Sequence, residues 1–215
     1  MGQPGRMVPG MRIGIPRQRD LRFLGDTAAT EAWRAGDALI RSFDVNIVEI
    51  DLTPFFEAAA LLYEGAWVAE RYQAVRDFIE NRPADMHPVT RGIIEGARRY
   101  SAADAFAGLY RLQGLKRATE PIWQRIDALM VPTAPLAPTL ADLANDPIGL
   151  NSSLGLYTNF VNLLDLTALA VPRPWRPDRR AAGVTFIGPR GSDAQLAGIG
   201  RTFHAGAGEI GRAHV

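Results

Sequence analysis

The first fifty residues carry two strand patterns separated by one amphipathic helix pattern. Residues 11–15, MRIGI, form a short strand pattern that Pro16 closes, and Val45–Ile50 alternates apolar with polar side chains. Between them, Asp26 and Thr27 can cap a helix that extends to about residue 43, because its apolar residues recur at helical spacing. A strand–helix–strand order is typical of α/β proteins, so we predict an α/β fold.

The rest of the chain is mostly helical in pattern. Helix patterns cover residues 53–80, 87–100 and 101–126, and a last helix begins at Ser192; strand patterns cover Ala128–Pro132 and residues 183–189. Ala128–Pro132 is apolar throughout, which predicts a strand that is buried on both faces. Four short strands are few for a self-sufficient sheet, so we expect strands from elsewhere to complete it.

No internal repeat or shift in composition divides the central part of the chain. We expect one partial domain over residues 11–205, with a disordered leader at residues 1–10 and a flexible, glycine-rich tail at residues 206–215.

The composition excludes several kinds of site. The chain has no cysteine, and its three histidines include no pair at the spacing of metal ligands, so we expect neither a metal nor a cofactor. A net charge of +1 predicts no nucleic-acid partner, and no apolar run reaches the length of a membrane span, which predicts no membrane partner. Lys116 is the only lysine, and arginine cannot serve as a base. The arginine-rich, alanine-rich composition suggests a bacterial, cytoplasmic protein.

The segment LLYEGAWVAER, residues 61–71, contains the first candidate binding residues. On one continuous helix, Tyr63 and Arg71 would be offset by about 80° and about 12 Å along the axis. Their polar ends could then converge on one small ligand, with the guanidinium of Arg71 binding a carboxylate through two charge-assisted hydrogen bonds. The alternative is that Arg71 is a solvated surface residue and Tyr63 a half-buried core aromatic.

The segment NSSLGLYTNFVNLLDLTALAVP, residues 151–172, contains the second set. It mixes carboxamides and hydroxyls, among them those of Tyr157 and Asn159, with apolar residues. Buried polar groups need partners, so such a run either lines a pocket or supplies caps and turn hydrogen bonds. Ser152 and Ser153 have no nearby base and no glycines to shape an oxyanion hole, which argues against either serine as a nucleophile.

These two segments, together with HPVTRGIIEGARRYSAADAF and IDALMVPTAP between them, closely resemble the allophanate hydrolase branch of the amidase-signature family. The resemblance covers about residues 11–204. It implies helices packed on a mixed sheet, forming the C-terminal portion of the amidase-signature fold. It also implies hydrolysis of allophanate to ammonia and carbon dioxide by a Ser–Ser–Lys triad.

In the family, that triad belongs to a signature upstream of the matched region, so we expect no catalytic residue in this chain. The surroundings of Lys116 do not match those of the catalytic lysine. Tyr63 and Arg71 match the family's contacts to a small carboxylated substrate, and the resemblance implies that Tyr157 and Asn159 form part of the pocket wall.

One segment departs from the family pattern. Residues 173–184 are rich in arginine where relatives have a small glycine-containing loop, and we expect these arginines to disturb a tight loop beside an active site. The alternatives to an amidohydrolase part are a non-catalytic remnant or binding subunit with the same half-fold, or an amidase for another small amide. The expected partners are a small carboxylated amide and either a missing N-terminal half or a second copy of the chain.

Overall fold

The computed structural model describes residues 7–208, apart from the side chains of Tyr63 and Glu64. Its centre is a mixed five-stranded sheet in the order β2-β1-β3-β5-β4. The strands are β1 (Met11–Pro16), β2 (Val45–Ile50), β3 (Ala128–Pro132), β4 (Leu166–Arg173) and β5 (Ala182–Pro189). β1 is parallel to β2 and β3, whereas β5 is antiparallel to both of its neighbours. The predicted α/β fold with a mixed sheet is confirmed.

Helices cover both faces of this sheet. They are α1 (Thr27–Ser42), α2 (Thr53–Glu64), α3 (Trp67–Ala74), α4 (Arg76–Asn81), α5 (Pro88–Glu95), α6 (Ala102–Thr119), α7 (Ile122–Arg125), α8 (Leu140–Asn145), α9 (Gly149–Leu154), α10 (Phe160–Leu163) and α11 (Asp193–Gly206), with 3₁₀ turns at Gln18–Asp20, Pro83–Asp85 and Gly96–Arg99. Asp26 caps α1 by accepting a hydrogen bond from the Ala29 N–H, and Ser101 begins α6 with a capping box. The sequence predicted the Asp26 cap and a helix that begins at residue 101.

The central strand β3 contributes to two hydrophobic cores, one on each face of the sheet. Ala128 and Met130 pack with residues of α1 and α11, while Leu129 and Val131 pack with residues of α2, α6 and α10. Successive side chains of a strand point to opposite faces, so an apolar strand between two helical layers is buried on both. All five residues of β3 are buried, as the sequence predicted.

β4 was not predicted, because its residues were assigned to a polar pocket segment. β4 lies at one edge of the described sheet, and its residues are apolar on the exposed side as well, so the sequence lacks the alternation of a half-buried strand. Pro172 fits there because an edge strand tolerates a residue without an N–H donor. Five strands make a sheet of ordinary size. Completion of the sheet by strands from elsewhere stays a prediction.

The helix predicted over residues 53–80 is broken into three. Gly65 ends α2 with an extended backbone, and a Cβ on this residue would stand 2.9 Å from the carbonyl oxygen of Leu61. A second break at Val75 separates α3 from α4. Tyr63 and Arg71 therefore lie on different helices, and the single-helix geometry that we used to bring them together is wrong.

Replacing Gly65 by Ala is expected to lower the free energy of unfolding by about 1–3 kcal/mol, because the added methyl meets backbone that cannot move aside easily. Gly114→Ala is the matched control. Gly114 lies within α6 with open space around its Cβ position, so the same change should raise stability by about 0.5–1 kcal/mol. Urea unfolding of both variants checks the pair; equal effects would contradict the steric argument.

The described ends of the chain are attached to the domain. The Gly10 N–H donates to the Asp44 carbonyl at 2.8 Å, and Asn46 donates to the Gly10 carbonyl at 2.9 Å. Gly206 is the last residue of α11. The remainder of the predicted leader and tail, residues 1–6 and 209–215, lies outside the described residues. Within residues 7–208, no helix combines the length and the apolarity that a membrane span requires.

Candidate functional site

Arg71 lines a cavity of about 330 Å³, which we call the Arg71 cavity. Its wall is formed by residues of α2, α3 and α9, together with residues of α5 and of the 3₁₀ turn that follows it. The described lining residues are Leu62, Val68, Arg71, Gly92, Ile93, Gly96, Arg99, Ile148 and Ser152. The two sequence segments that we singled out therefore meet here, through Arg71 from the first and Ser152 from the second.

Apolar packing fixes the helix that carries Arg71. Val68 is buried, and Trp67 packs on α6 opposite Gly108, where a Cβ would lie 3.0 Å from the indole ring. These contacts hold one side of α3 against the protein, and Arg71 extends into the cavity from the same short helix. Tyr63 is in the last turn of α2, but its side chain lies outside the described residues, so its contact with a substrate stays a prediction.

A chain of polar contacts joins α3 to the turn that carries Arg99. Tyr72 donates to Glu80 at 2.8 Å, and Arg98 donates to the Tyr72 hydroxyl at 3.1 Å. The hydrogen bond from Tyr72, followed by that from Arg76, lowers the pKa of the Glu80 carboxyl below its ordinary value. Arg98 therefore links the turn to α3, while its neighbour Arg99 lines the Arg71 cavity.

Among the described residues that line the cavity, the charged ones are both arginines, Arg71 and Arg99, and none is Asp, Glu, His or Lys. The remaining polar side chain is that of Ser152. Such a lining can bind an anion through charge-assisted hydrogen bonds, but it offers no general base among the described residues. Across the described residues, no group of His, Asp and Glu side chains could hold a metal ion.

Tyr157 and Asn159, which the resemblance placed in the pocket wall, do not line the Arg71 cavity. Tyr157 is 0% exposed, and its hydroxyl accepts from the Arg22 N–H at 2.6 Å. The Asn159 carboxamide lies over Gly155, where an added Cβ would overlap it. As placed, both side chains support the turn between α9 and α10.

A second cavity of about 390 Å³ has a mainly apolar lining and includes Arg176, a residue that the sequence analysis did not single out. The Arg176 guanidinium is buried and contacts Asp26 at 2.8 Å and Asp178 at 2.7 Å. Arg180 donates to the Ala137 carbonyl. Arg176 and Arg180 thus pair with acceptors that connect the loop to the rest of the domain, and the disturbance of the loop by its arginines stays a prediction.

The family described as Amidase matches residues 6–197. The chain belongs to this family. Urea amidolyase from Saccharomyces cerevisiae is 44% identical over 186 residues, which are 86% of this chain and 10% of that protein. Urea amidolyase from Lachancea kluyveri is 40% identical over the same shares of each chain. The chain thus spans about a tenth of the length of these curated relatives.

Solved amidase-family structures share the fold. Allophanate hydrolase from Kluyveromyces lactis superimposes with a TM-score of 0.89 at 39% identity, covering 94% of this chain and 33% of that one. The A subunit of glutamyl-tRNA(Gln) amidotransferase from Thermotoga maritima gives a TM-score of 0.69 at 18% identity, covering 90% and 42%, and supports the fold alone. The resemblance to the allophanate hydrolase branch is confirmed.

Proposed function

We propose that this chain is part of an amidohydrolase of the allophanate hydrolase kind and contributes recognition of a small carboxylated amide. The observation that carries the proposal is the position of Arg71 in a cavity that a second arginine and a serine also line, without a described carboxylate. The similarity to an allophanate hydrolase and to urea amidolyases supports the class of substrate.

The proposed role of Arg71 is to hold the substrate's carboxylate. A guanidinium donates two parallel hydrogen bonds to a carboxylate, which fixes both the position and the orientation of a planar ligand such as allophanate. The amide carbonyl of the ligand is then presented in one place, and such positioning lowers the barrier to attack because the reacting groups are already oriented. Tyr63, at the end of α2, is the predicted second contact.

Breaking the amide C–N bond also requires a nucleophile, a proton relay and donors for the developing oxyanion. The described lining of the Arg71 cavity offers no base, and the Ser153 hydroxyl donates to the Gly149 carbonyl at 2.9 Å. We therefore propose that the Ser–Ser–Lys groups come from a segment outside the described residues. The released products would be ammonia and carbon dioxide.

Binding and turnover can be measured separately. Malonamate carries the carboxylate and amide of allophanate with a methylene in place of the central N–H, so it is a stable probe. We expect the chain to bind malonamate in a ligand-observed NMR titration. Arg71→Ala should weaken this binding by about 1.5–3 kcal/mol, or roughly 10- to 150-fold in Kd. Arg41→Ala, an exposed change on α1, is the control and should leave Kd unchanged.

Ammonia release from allophanate tests the second part of the proposal. We expect none from the chain alone and measurable release when the corresponding N-terminal segment of Kluyveromyces lactis allophanate hydrolase is added. Turnover by the chain alone would contradict an external nucleophile. Malonamate binding without turnover in the mixture would favour a non-catalytic binding protein, and absence of malonamate binding would contradict the recognition role.

A further inference from the structure

Arg99 enters the Arg71 cavity from an element that the sequence motif does not include. It is the last residue of the Gly96–Arg99 turn, 28 positions after Arg71 in the chain. Neither the spacing LYEG-WVAER nor the polar segment after residue 150 indicates it. Only the packing of α3 beside α5 and the turn brings the two arginines to one cavity.

The Arg99 side chain is exposed and packs against the ring of the neighbouring residue, Tyr100. Its guanidinium lies 4.9 Å from the centre of the Tyr100 ring, and Nη2 donates to the Tyr100 hydroxyl at 3.0 Å. A cation over an aromatic ring is attracted to the face of the ring, and this contact leaves in-plane N–H donors for other partners. A side chain ordered in this way loses less conformational freedom when it binds an anion.

The same part of the cavity has room for a ligand. Gly92 and Gly96 line it one helical turn apart, and a Cβ built on either would have no atom within 4 Å. Gly92 is exposed, no described atom lies within 4 Å of either Cβ position, and none of the described lining residues is acidic, so the part of the cavity beside Arg99 has room for a small anion.

We propose that Arg99 is a second recognition residue of this site and makes it selective for anionic over neutral amides. The inference rests on the proposed function. Arg71 binds the carboxylate of the ligand, and the guanidinium of Arg99 further favours the negative charge of that carboxylate. The ligand class is thus a small amide that carries a carboxylate.

The test compares malonamate with malonamide, its neutral diamide counterpart, in ligand-observed NMR titrations of the full chain. Arg99→Gln is expected to weaken malonamate binding about tenfold and to change malonamide binding by less than about twofold, because only malonamate loses a charge-assisted contact. Arg99→Lys, which keeps the charge but not the planar fork, should fall between Arg99→Gln and the unchanged chain.

Arg41→Gln is the control. It removes an exposed guanidinium on α1, which pairs with Asp37 and does not line the cavity, and should leave the preference for malonamate intact. Gly92→Leu, which fills the open space, should weaken both ligands and so checks that they bind here.

The outcomes separate the two proposals. If Arg71→Ala weakens malonamate binding but Arg99→Gln does not, or if Arg99→Gln weakens both ligands equally, the role of Arg99 is overturned and the proposed function stands. If neither arginine affects malonamate binding, or malonamate does not bind, both proposals fail. Unchanged binding in Gly92→Leu would also overturn the assignment of Arg99, because the ligand would then lie elsewhere.

Discussion

Replacing Arg176 by Met is expected to lower the free energy of unfolding by about 3–5 kcal/mol. The Arg176 side chain is only 3% exposed and contacts the carboxylates of Asp26 and Asp178. Removing the guanidinium leaves Asp26, itself 16% exposed, without its cation in a poorly hydrated place. Breaking a buried pair costs more than its formation contributes, because the remaining charge is uncompensated. Urea unfolding at pH 7 gives the value.

Two comparisons identify the cause of that loss. Arg190→Met removes a guanidinium that is 82% exposed and pairs with Asp165, so it should change stability by no more than about 1 kcal/mol. Asp26→Ser keeps an N-cap oxygen for α1 but removes the charge. The double variant, Asp26→Ser with Arg176→Met, should lose about 0.5–3 kcal/mol less stability than the two single changes added together. Strict additivity would contradict a direct ionic interaction.

The pH dependence of the stability loss in Arg176→Met follows from the protonation state of Asp26. Burial alone would raise the pKa of this carboxyl, but hydrogen bonds from the Ala29 N–H, the Arg176 guanidinium and the Ala137 N–H outweigh it, and the pKa lies below its ordinary value. A carboxyl with a lowered folded-state pKa contributes stability above its unfolded pKa of about 3.9, and this contribution is lost as the pH falls through the folded value. The difference between the unchanged chain and Arg176→Met should therefore shrink between pH 7 and pH 3.

The order of the main strands and helices could be predicted because each has a strong local pattern. β3 is apolar at every position, and the helices that begin after Asp26 and Ser101 have side chains that cap them. β4 was missed because its exposed side is apolar too, so its sequence lacks the alternation that predicts a half-buried strand. The break at Gly65 was missed because one glycine is tolerated within many helices, and the sequence does not show that its backbone becomes extended.

The site could be predicted only in part, because its residues come from separate elements. The resemblance indicated Arg71, and the structure places it in a cavity. Arg99 gave no signal in the sequence, since its position depends on how α3 packs beside the following turns. Arg176 gave a misleading signal: an arginine in a proline-rich loop is usually solvated, and the sequence does not reveal that Asp26, 150 positions earlier, pairs with it.

Tyr157 is the residue whose role a substitution can decide most sharply, because the resemblance and the packing make opposite predictions. The resemblance implies a pocket wall. In the structure, the ring is fully buried between α2 and α10, and the hydroxyl accepts from the Arg22 N–H and lies 3.2 Å from the carbonyl oxygens of both Asp20 and Arg22. Burial raises the pKa of this hydroxyl above its ordinary value, so it remains a protonated donor.

From this packing we expect Tyr157→Ala to lower the free energy of unfolding by about 3–5 kcal/mol, as for other large buried aromatics. Tyr157→Phe keeps the ring and should cost about 1–3 kcal/mol, because the Arg22 N–H is left without its acceptor. Malonamate should bind Tyr157→Phe and the unchanged chain with the same Kd, since Tyr157 does not line the Arg71 cavity. Full stability with weakened malonamate binding would instead place Tyr157 in the pocket wall, and the packing argument would then fail.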